Sequence, residues 1–309
     1  MKLGRLVLLG AALWSLPAMA AGPAQAGTVN DVEGRVLVGG RAVTPRDLGN
    51  VTVSQGGVVA TQSGRAEILL TPGVVLRLGD NSQARMDSEL LTNTRVSLLG
   101  GSAMVEVDEI FPENHVVIAQ GNAATTLLKK GLYRFDAVGP TVSVLKGEAV
   151  VDAGGRNVRV KDDHQAILTD ARLKPHKFDR AVQDELYAWS RLRSEYEANA
   201  SAQTASTMVV GGPGWYGAGW YWNPWFDGYA FIPADGFFYS PFGFPFYSPY
   251  YVGYGGFYGR GWYAGAHAWH GTSGHVGVSS AYRGGRMAVT SHVGGSFGGG
   301  LHMGGGGRR

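Results

Sequence analysis

The sequence predicts an all-β domain, a roll or solenoid-like arrangement of many short strands, followed by one amphipathic α-helix and a low-complexity C-terminal region rich in glycine and aromatic residues. In residues 132–136 and 141–145, apolar and polar side chains alternate with the period of a half-buried strand. Glycine, proline and asparagine turn signals recur about every 8 to 12 residues between residues 28 and 170. Short strands at even spacing are typical of all-β folds.

The N-terminus has the pattern of a secretory signal peptide. Lys2 and Arg5 precede an apolar run at 6–16, and Ala20 ends a small-residue cleavage site, so we predict a signal peptide over residues 1–20, with an alternative cut after Ala26. An uncleaved N-terminal anchor is the alternative, although the run is short for a span of about 20 residues. We therefore expect an exported bacterial protein, in the periplasm, at the cell surface or in the medium, with no transmembrane span after cleavage.

The predicted β-domain covers residues 28–170, and about 140 residues are enough for one hydrophobic core. Tyr133 and Phe135 lie on the same side of one predicted strand, and we expect that side to be buried. The predicted strands are 35–38, 51–53, 58–61, 66–70, 74–78, 83–86, 95–98, 103–107, 115–119, 126–128, 132–136, 141–145, 148–151, 158–160 and 165–168.

An amphipathic helix is predicted over residues 177–199, because apolar side chains recur there at steps of three or four. Pro175 lies just before it, and Asp179 suits the positive end of the helix dipole. We expect the apolar stripe to pack on the β-domain, with the binding of a partner protein as the alternative. The stripe consists of Phe178, Val182, Leu186, Trp189, Leu192 and Tyr196.

An aromatic tract follows at residues 210–270, where 24 of the 34 aromatic residues lie between Trp215 and Trp269. Its prolines exclude a long helix and central strands. So many aromatic side chains should pack on something, either the β-domain, the envelope or another copy of the chain. One interpretation is a wrap over the β-domain; the other is an interaction surface for sugars or a membrane interface. The candidate residues of that surface are Trp215, Trp220, Trp222 and Trp225.

The last segment, residues 271–309, is rich in glycine and histidine and is predicted to be disordered. His267 and His270 have a spacing that could hold a metal ion on a helix, but the surrounding glycines disfavour a helix. The arginines of this tail could contact anionic lipid or polysaccharide, and a solvated tail is the favoured interpretation. We predict no metal site here and no cofactor.

The composition excludes several function classes. The chain has no cysteine, which excludes a catalytic thiol and cysteine-based metal sites and means that the fold holds without disulfides. Residues 27–209 carry 20 Lys and Arg against 22 Asp and Glu, so the body is close to neutral and offers no electrostatic case for nucleic-acid binding.

No constellation in the sequence indicates catalysis, so we predict that the protein is not an enzyme. Acidic pairs occur at Asp87 and Glu89, Asp108 and Glu109, and Asp162 and Asp163. Each pair lies beside a predicted turn, where Asp and Glu usually face solvent rather than each other across a cleft. His115 and His164 are isolated in strand-rich sequence, and no serine occupies the context of a nucleophile elbow.

Five motifs of turns and core positions follow one another between residues 32 and 168, a little under half of the chain. They are GRV at 34–36, SGRAEILL at 63–70, PGVVLRL at 72–78, SLLGGSA at 97–103 and VSVLKGEAVV at 142–151. In these motifs and in their order, residues 32–168 resemble the FecR domain family.

The resemblance implies an extracytoplasmic β-domain. In iron-signalling members of the family this domain relays the state of an outer-membrane receptor to a sigma factor, through a transmembrane segment and a cytoplasmic anti-sigma region. Here residues 1–5 alone precede the apolar run, so we expect no cytoplasmic regulatory segment. The helix and the aromatic tract resemble the extensions of stand-alone exported FecR-domain proteins.

We therefore predict a non-enzymatic, exported module that binds or scaffolds in the cell envelope. Its expected partner is an envelope protein or polysaccharide, with peripheral membrane contact allowed and nucleic acid excluded. A periplasmic sensor in a FecR-type signalling pathway is one alternative. A surface adhesin or matrix protein that uses the aromatic tract is the other.

Overall fold

The computed structural model describes residues 24–179, 184–209 and 215–258, with the backbone alone for 254–258. The predicted signal peptide and the predicted disordered tail lie outside the described residues. The predicted fold class is confirmed, because most of the described elements are strands of one large sheet.

Fifteen strands form that sheet. They are β1 Val29–Val38, β2 Arg41–Val43, β3 Val58–Leu69, β4 Val74–Leu78, β5 Gln83–Leu90, β6 Asn93–Gly100, β7 Ser102–Val107, β8 His115–Gln120, β9 Ala123–Leu127, β10 Gly131–Asp136, β11 Thr141–Lys146, β12 Glu148–Ala153, β13 Arg156–Lys161, β14 His164–Ile167 and β15 His176–Lys177. A short 3-10 helix, Pro45–Asp47, follows β2.

The sheet has the strand order β13-β12-β9-β8-β6-β5-β3-β4-β7-β10-β11-β14-β15, and β1 pairs with β2 and β3. Among the described strands β6 and β8 pair in parallel, and the other pairings are antiparallel. Half of the neighbouring pairs in this order are consecutive in the chain, such as β5 with β6 and β10 with β11, and the other half are joined by crossovers.

Strand β3 is continuous where the sequence predicts two strands, 58–61 and 66–70. Its first residues pair with β5 and its last residues pair with β4, so one strand bridges two parts of the sheet. The polar residues between these parts, which look like a turn in the sequence, pair with β1 next to a bulge between Gly34 and Val36. A bulge interrupts the pairing locally and bends the bulged strand, and the pairing of β1 with β3 resumes beyond it at Val36 and Thr61.

One face of the sheet encloses the main hydrophobic core. Val74, Leu76 and Leu78 of β4 point into this core, as do Tyr133 and Phe135 of β10. Tyr133 and Phe135 are both fully buried, so the predicted buried side of their strand is confirmed.

The opposite face of β3, β4, β7 and β10 is buried as well. All five residues of β4 are buried, including Val75 and Arg77, whose side chains point away from the main core. A strand that is buried on both faces needs a second layer of structure against it.

The residues after the sheet supply that second layer, which we call the cover. Its elements are α1 Glu185–Val209, β16 Gly219–Asn223, β17 Gly228–Ile232, β18 Phe237–Tyr239, β19 Pro245–Tyr247 and α2 Pro249–Tyr258. β16 pairs with β17, and β18 pairs with β19, as two short antiparallel hairpins. Aromatic residues of both hairpins pack on Leu69 and Val75 of the sheet, and Leu186 and Trp189 of α1 pack on Met104 and Leu132.

The observed helix differs from the predicted one at both ends. It runs over Glu185–Val209 instead of 177–199, and Lys177 belongs to β15. Of the predicted stripe, Leu186 and Trp189 are buried, whereas Leu192 is 42% exposed. Small and polar residues complete the buried face in its place, namely Ser190, Ser194, Glu197, Ala198 and Ser201. Neither of the two described α-helices combines the length and hydropathy needed to cross a membrane.

Candidate functional site

Three charged residues of the sheet lie side by side beneath the cover. Glu67 of β3, Arg77 of β4 and Glu106 of β7 alternate with core residues, so all three point to the covered face, where their side chains have no solvent exposure. Arg77 Nε lies 2.7 Å from Glu67 Oε2, and Arg77 Nη1 lies 2.6 Å from Glu106 Oε2. Each guanidinium edge therefore makes a charge-assisted hydrogen bond with a different carboxylate.

Helix α1 completes this group from the other side. Arg193 Nη2 donates to Glu67 Oε1 over 2.8 Å, and Ser194 Oγ donates to Glu106 Oε1 over 2.7 Å. Glu197 Oε2 lies 3.3 Å from Arg77 Nη2. We call these residues, with Asp31 and Asp108, the charge cluster; its members are Asp31, Glu67, Arg77, Glu106, Asp108, Arg193 and Glu197.

Hydrogen bonds from Asn30 tie the first aromatic hairpin to the same cluster. Asn30 Nδ2 donates to Glu67 Oε1 over 2.9 Å, and Asn30 Oδ1 accepts from the Tyr229 backbone N–H over 2.7 Å. The side chain thus joins β1, β3 and β17 through groups that are buried from solvent. Such satisfied buried hydrogen bonds have directional requirements that apolar contacts lack.

The carboxyl groups of the cluster divide into two kinds. Burial alone would raise the pKa of Glu67, but the Arg193 and Arg77 guanidinium groups outweigh it and hold that pKa well below its ordinary value. Burial raises the pKa of Glu197 and that of Asp108 well above their ordinary values, and the neighbouring carboxylates Glu67 and Glu106, respectively, raise them further. The charge on Glu67 is thus compensated by two guanidinium groups, whereas burial disfavours the charged forms of Glu197 and Asp108.

A small cleft leads from the charge cluster between α1 and the first hairpin. Arg193, Tyr196 and Glu197 line it on the helix side, and Phe226 and Tyr229 line it on the hairpin side. Its volume of about 20 Å³ is enough for one water molecule. This cleft admits water or an ion and is too small for a metabolite.

Exposed aromatic side chains are concentrated on the cover. Among the described residues, the exposed large apolar side chains of the sheet are aliphatic, as at Leu90, Leu91 and Val138. The exposed aromatic side chains, by contrast, all belong to residues after the sheet: Tyr216, Trp225, Phe226, Phe237, Tyr239 and Tyr250.

Four of the aromatic rings form a contiguous group, which we call the aromatic ladder. It consists of Phe237, Tyr239, Tyr247 and Tyr251, from the second hairpin and α2. The Phe237 ring centre lies 4.9 Å from that of Tyr251, 5.8 Å from that of Tyr239 and 6.1 Å from that of Tyr247. These spacings are those of favourable aromatic pairs, so the rings support each other's orientation.

The structure places the four tryptophans of the predicted interaction surface in different environments. Trp220 and Trp222 are two residues apart on β16, which turns both toward the sheet. Trp220 is 7% exposed, Trp222 is half-buried against Tyr229, and Trp215 is half-buried. Trp225 is 64% exposed in the turn between β16 and β17. The exposed residues Phe237 and Tyr239 were missed in the sequence, although their alternation with the half-buried Phe238 is a strand signal.

The acidic pairs and histidines also occupy different environments. Asp87 accepts from Ser97 and pairs with Arg85 at a half-buried position, and Glu89 is exposed. Asp108 was expected to face solvent, which is wrong: its residue is 2% exposed, because the cover lies over it. His115 is exposed and His164 is half-exposed.

Comparisons with known proteins give weak similarities. No family model matches the chain, and no curated protein matches it. Two solved structures that resemble it are crystal structures of a "putative anti-sigma factor" from Parabacteroides distasonis, each with a TM-score of 0.36. The match to the first has 18% sequence identity. It covers 43% of this chain and 64% of the chain in that structure, slightly under two thirds. The match to the second has 15% sequence identity and covers 58% of this chain and 99% of the chain in that structure. Membership of the FecR domain family stays a prediction.

Proposed function

We propose that the protein is a non-enzymatic, exported binding module of the cell envelope, and that its cover binds a neutral polysaccharide through exposed aromatic side chains. The observation that carries the proposal is the distribution of these side chains. Among the described residues they lie on the cover alone, although the sheet is far larger. Exposed aromatic groups concentrated on one element mark an interaction surface.

The chemistry of the surface favours sugars over charged partners. Residues 215–258 contain two acidic side chains, Asp227 and Asp235, and no Lys, Arg or His. Such a segment has no electrostatic attraction for anionic lipid or nucleic acid. Tyrosine and tryptophan present an apolar ring with a polar edge, which matches the apolar faces and hydroxyl groups of sugar rings.

The attachment of the cover to the sheet supports the same function. Phe231 and Phe246, on the buried sides of the two hairpins, have no solvent exposure and pack on the sheet. The exposed rings on the same hairpins are therefore held in place before a ligand arrives. A preorganised surface loses less conformational entropy on binding than a flexible one.

The test is sedimentation of the purified full-length protein with insoluble cellulose, chitin and peptidoglycan sacculi. We expect binding to at least one neutral glycan, and roughly two- to tenfold weaker binding for each ring removed in Phe237→Ala and Tyr239→Ala, because a stacked ring contributes about 0.5 to 1.5 kcal/mol. Leu90→Ala is the matched control: it removes an exposed apolar side chain from the sheet and should bind like the unaltered protein.

Two results would overturn the proposal. One is the absence of sedimentation with all three glycans while the protein is folded by circular dichroism. The other is equal binding by the ring variants and the Leu90→Ala control. Capture of an envelope protein in place of glycan, and dependent on the same rings, would instead assign the surface to a protein partner.

A further inference from the structure

We propose that one Ca²⁺ ion binds between Glu106, Asp108 and Glu197, beneath α1. One carboxylate oxygen from each residue lies within 4.8 Å of those of the other two. All three residues are at most 2% exposed. Two of the carboxylates come from β7 and the residue after it, and the third comes from α1, so an ion there would join the sheet to the cover.

A second observation points to a ligand. Both carboxylate oxygens of Asp108 are buried and have no hydrogen-bond partner among the described residues. Glu197 is buried as well and its oxygens also lack a hydrogen bond, although Arg77 Nη2 lies 3.3 Å from its Oε2. Buried ionised carboxylates without a partner are strongly destabilising, and native proteins rarely keep them unless they are paired or bind a metal ion. These oxygens belong to two of the three residues that converge, Asp108 and Glu197, whereas both oxygens of Glu106 have partners in Arg77 and Ser194.

The acidic groups around the site outnumber the basic ones, so a cation would be attracted to it. Arg77 and Arg193 are the arginines of the cluster. Glu67 contacts both, Arg77 also contacts Glu106 and Glu197, and Arg193 also contacts Asp31, so four carboxyl groups share two guanidinium groups. Lys130 attracts Asp108, but its ammonium group lies 3.9 Å from the centre of the Phe238 ring. Glu197 and Asp108 therefore carry the surplus acidity of the cluster, which either protons or a metal ion must neutralise.

The donor set selects the metal class. Carboxylate oxygens are hard ligands that suit Ca²⁺, Mg²⁺ and Mn²⁺ rather than the softer transition metals. Mg²⁺ retains several of its waters in an octahedral shell, whereas Ca²⁺ accepts irregular oxygen geometry. We therefore favour Ca²⁺ for ligands that come from a strand, the residue after it and a helix. The cleft beside Arg193 reaches Glu197, one of the three ligands.

The test compares thermal unfolding of full-length protein in EDTA and in 5 mM CaCl2, with metal content measured after dialysis. We expect one bound Ca²⁺ per chain and a Tm at least about 4 °C higher with Ca²⁺, because a ligand that binds only the folded state stabilises it. MgCl2 should raise the Tm by less than half as much.

Asp108→Asn keeps the shape of the side chain and removes its charge. We expect this variant to fold, to lose the Ca²⁺-dependent rise in Tm, and to unfold in EDTA at a Tm equal to or above that of the unaltered protein. Glu197→Gln should behave in the same way. Glu89→Gln is the matched control, because Glu89 is exposed on β5, and it should keep the full rise in Tm.

The proposal is overturned if the unaltered protein retains no Ca²⁺ after dialysis, or if its Tm is the same in EDTA and CaCl2. It is also overturned if Asp108→Asn keeps the Ca²⁺-dependent rise, or if Mg²⁺ stabilises the protein more than Ca²⁺ does. The metal content after dialysis is measured on the unaltered protein, so it tests the proposal even if a variant fails to fold. A protein without Ca²⁺ can still bind glycan, so failure of this proposal leaves the glycan experiment unaffected.

Discussion

Replacing Arg77 with methionine tests whether the buried charge cluster holds the cover on the sheet. The Arg77 side chain has no solvent exposure and makes ion pairs at 2.7 Å with Glu67 and at 2.6 Å with Glu106. Methionine has a similar length and fills the space with an apolar chain. The substitution therefore removes the charge while changing the packing little.

The expected loss of stability follows from the carboxylates that remain. Removing one partner of a buried ion pair costs about 3 to 5 kcal/mol, because the other charge stays buried without compensation. In EDTA, Glu67 keeps Arg193 at 2.8 Å, whereas the partner that remains to Glu106 among the described residues is the neutral Ser194 hydroxyl at 2.7 Å. Most of the loss thus comes from Glu106, and we expect about 3 to 4 kcal/mol in total.

Urea unfolding measures this loss from the shift of the midpoint at constant slope. Arg85→Met is the matched control, because Arg85 forms a 2.7 Å pair with Asp87 but its side chain is 46% exposed; it should cost less than about 1 kcal/mol. Adding Glu106→Gln to Arg77→Met should recover part of the lost stability, since it removes the uncompensated charge. If Arg77→Met costs no more than Arg85→Met, or if the double variant recovers nothing, our reasoning about the cluster is wrong.

Two further predictions concern the main core, and both use urea unfolding. Phe135→Ala should cost about 3 to 5 kcal/mol, because Phe135 is fully buried on β10; a cost under about 1 kcal/mol would contradict its place in the core. Gly147→Ala should cost more than Gly154→Ala. Both have positive φ, but a Cβ at Gly147 would overlap the Tyr133 hydroxyl, whereas a Cβ at Gly154 meets nothing within 4 Å. Equal costs would contradict this reasoning, because both the Tyr133 hydroxyl and the Lys130 backbone carbonyl would then have to move aside.

The strands could be predicted from the sequence because their signals are local. The predicted strand 74–78 matches β4 at both ends, and the predicted strand 132–136 lies within β10. Both predictions rest on period-2 alternation and on glycine turns, which lie within a few residues of the strands that they define. The same signals place Tyr133 and Phe135 on the buried face. Each of these predictions needs only the chain near the strand itself.

The second layer could not be predicted in the same way, because it depends on contacts between residues far apart in the sequence. Arg193 pairs with Glu67 across 126 positions, and Ser194 binds Glu106 across 88. Charged residues that alternate with core residues normally indicate a solvent face, and acidic residues beside a turn normally face solvent, which is why the sequence predicts an exposed Asp108. The available signal was Arg77 itself, a lone charge in the middle of the apolar strand VVLRL.

The charge cluster also explains how a repetitive cover can adopt one position on the sheet. Glycine, proline and aromatic residues recur throughout the tract, as in the related triplets at Ser240 and Ser248, and aromatic packing alone tolerates many alignments. Buried ion pairs tolerate only one alignment. A shift of α1 by one turn would separate Arg193 from Glu67 and Ser194 from Glu106, and charged groups would then be buried without partners. We therefore expect the cluster to set the register of the cover, while the aromatic residues supply most of the apolar area that it buries.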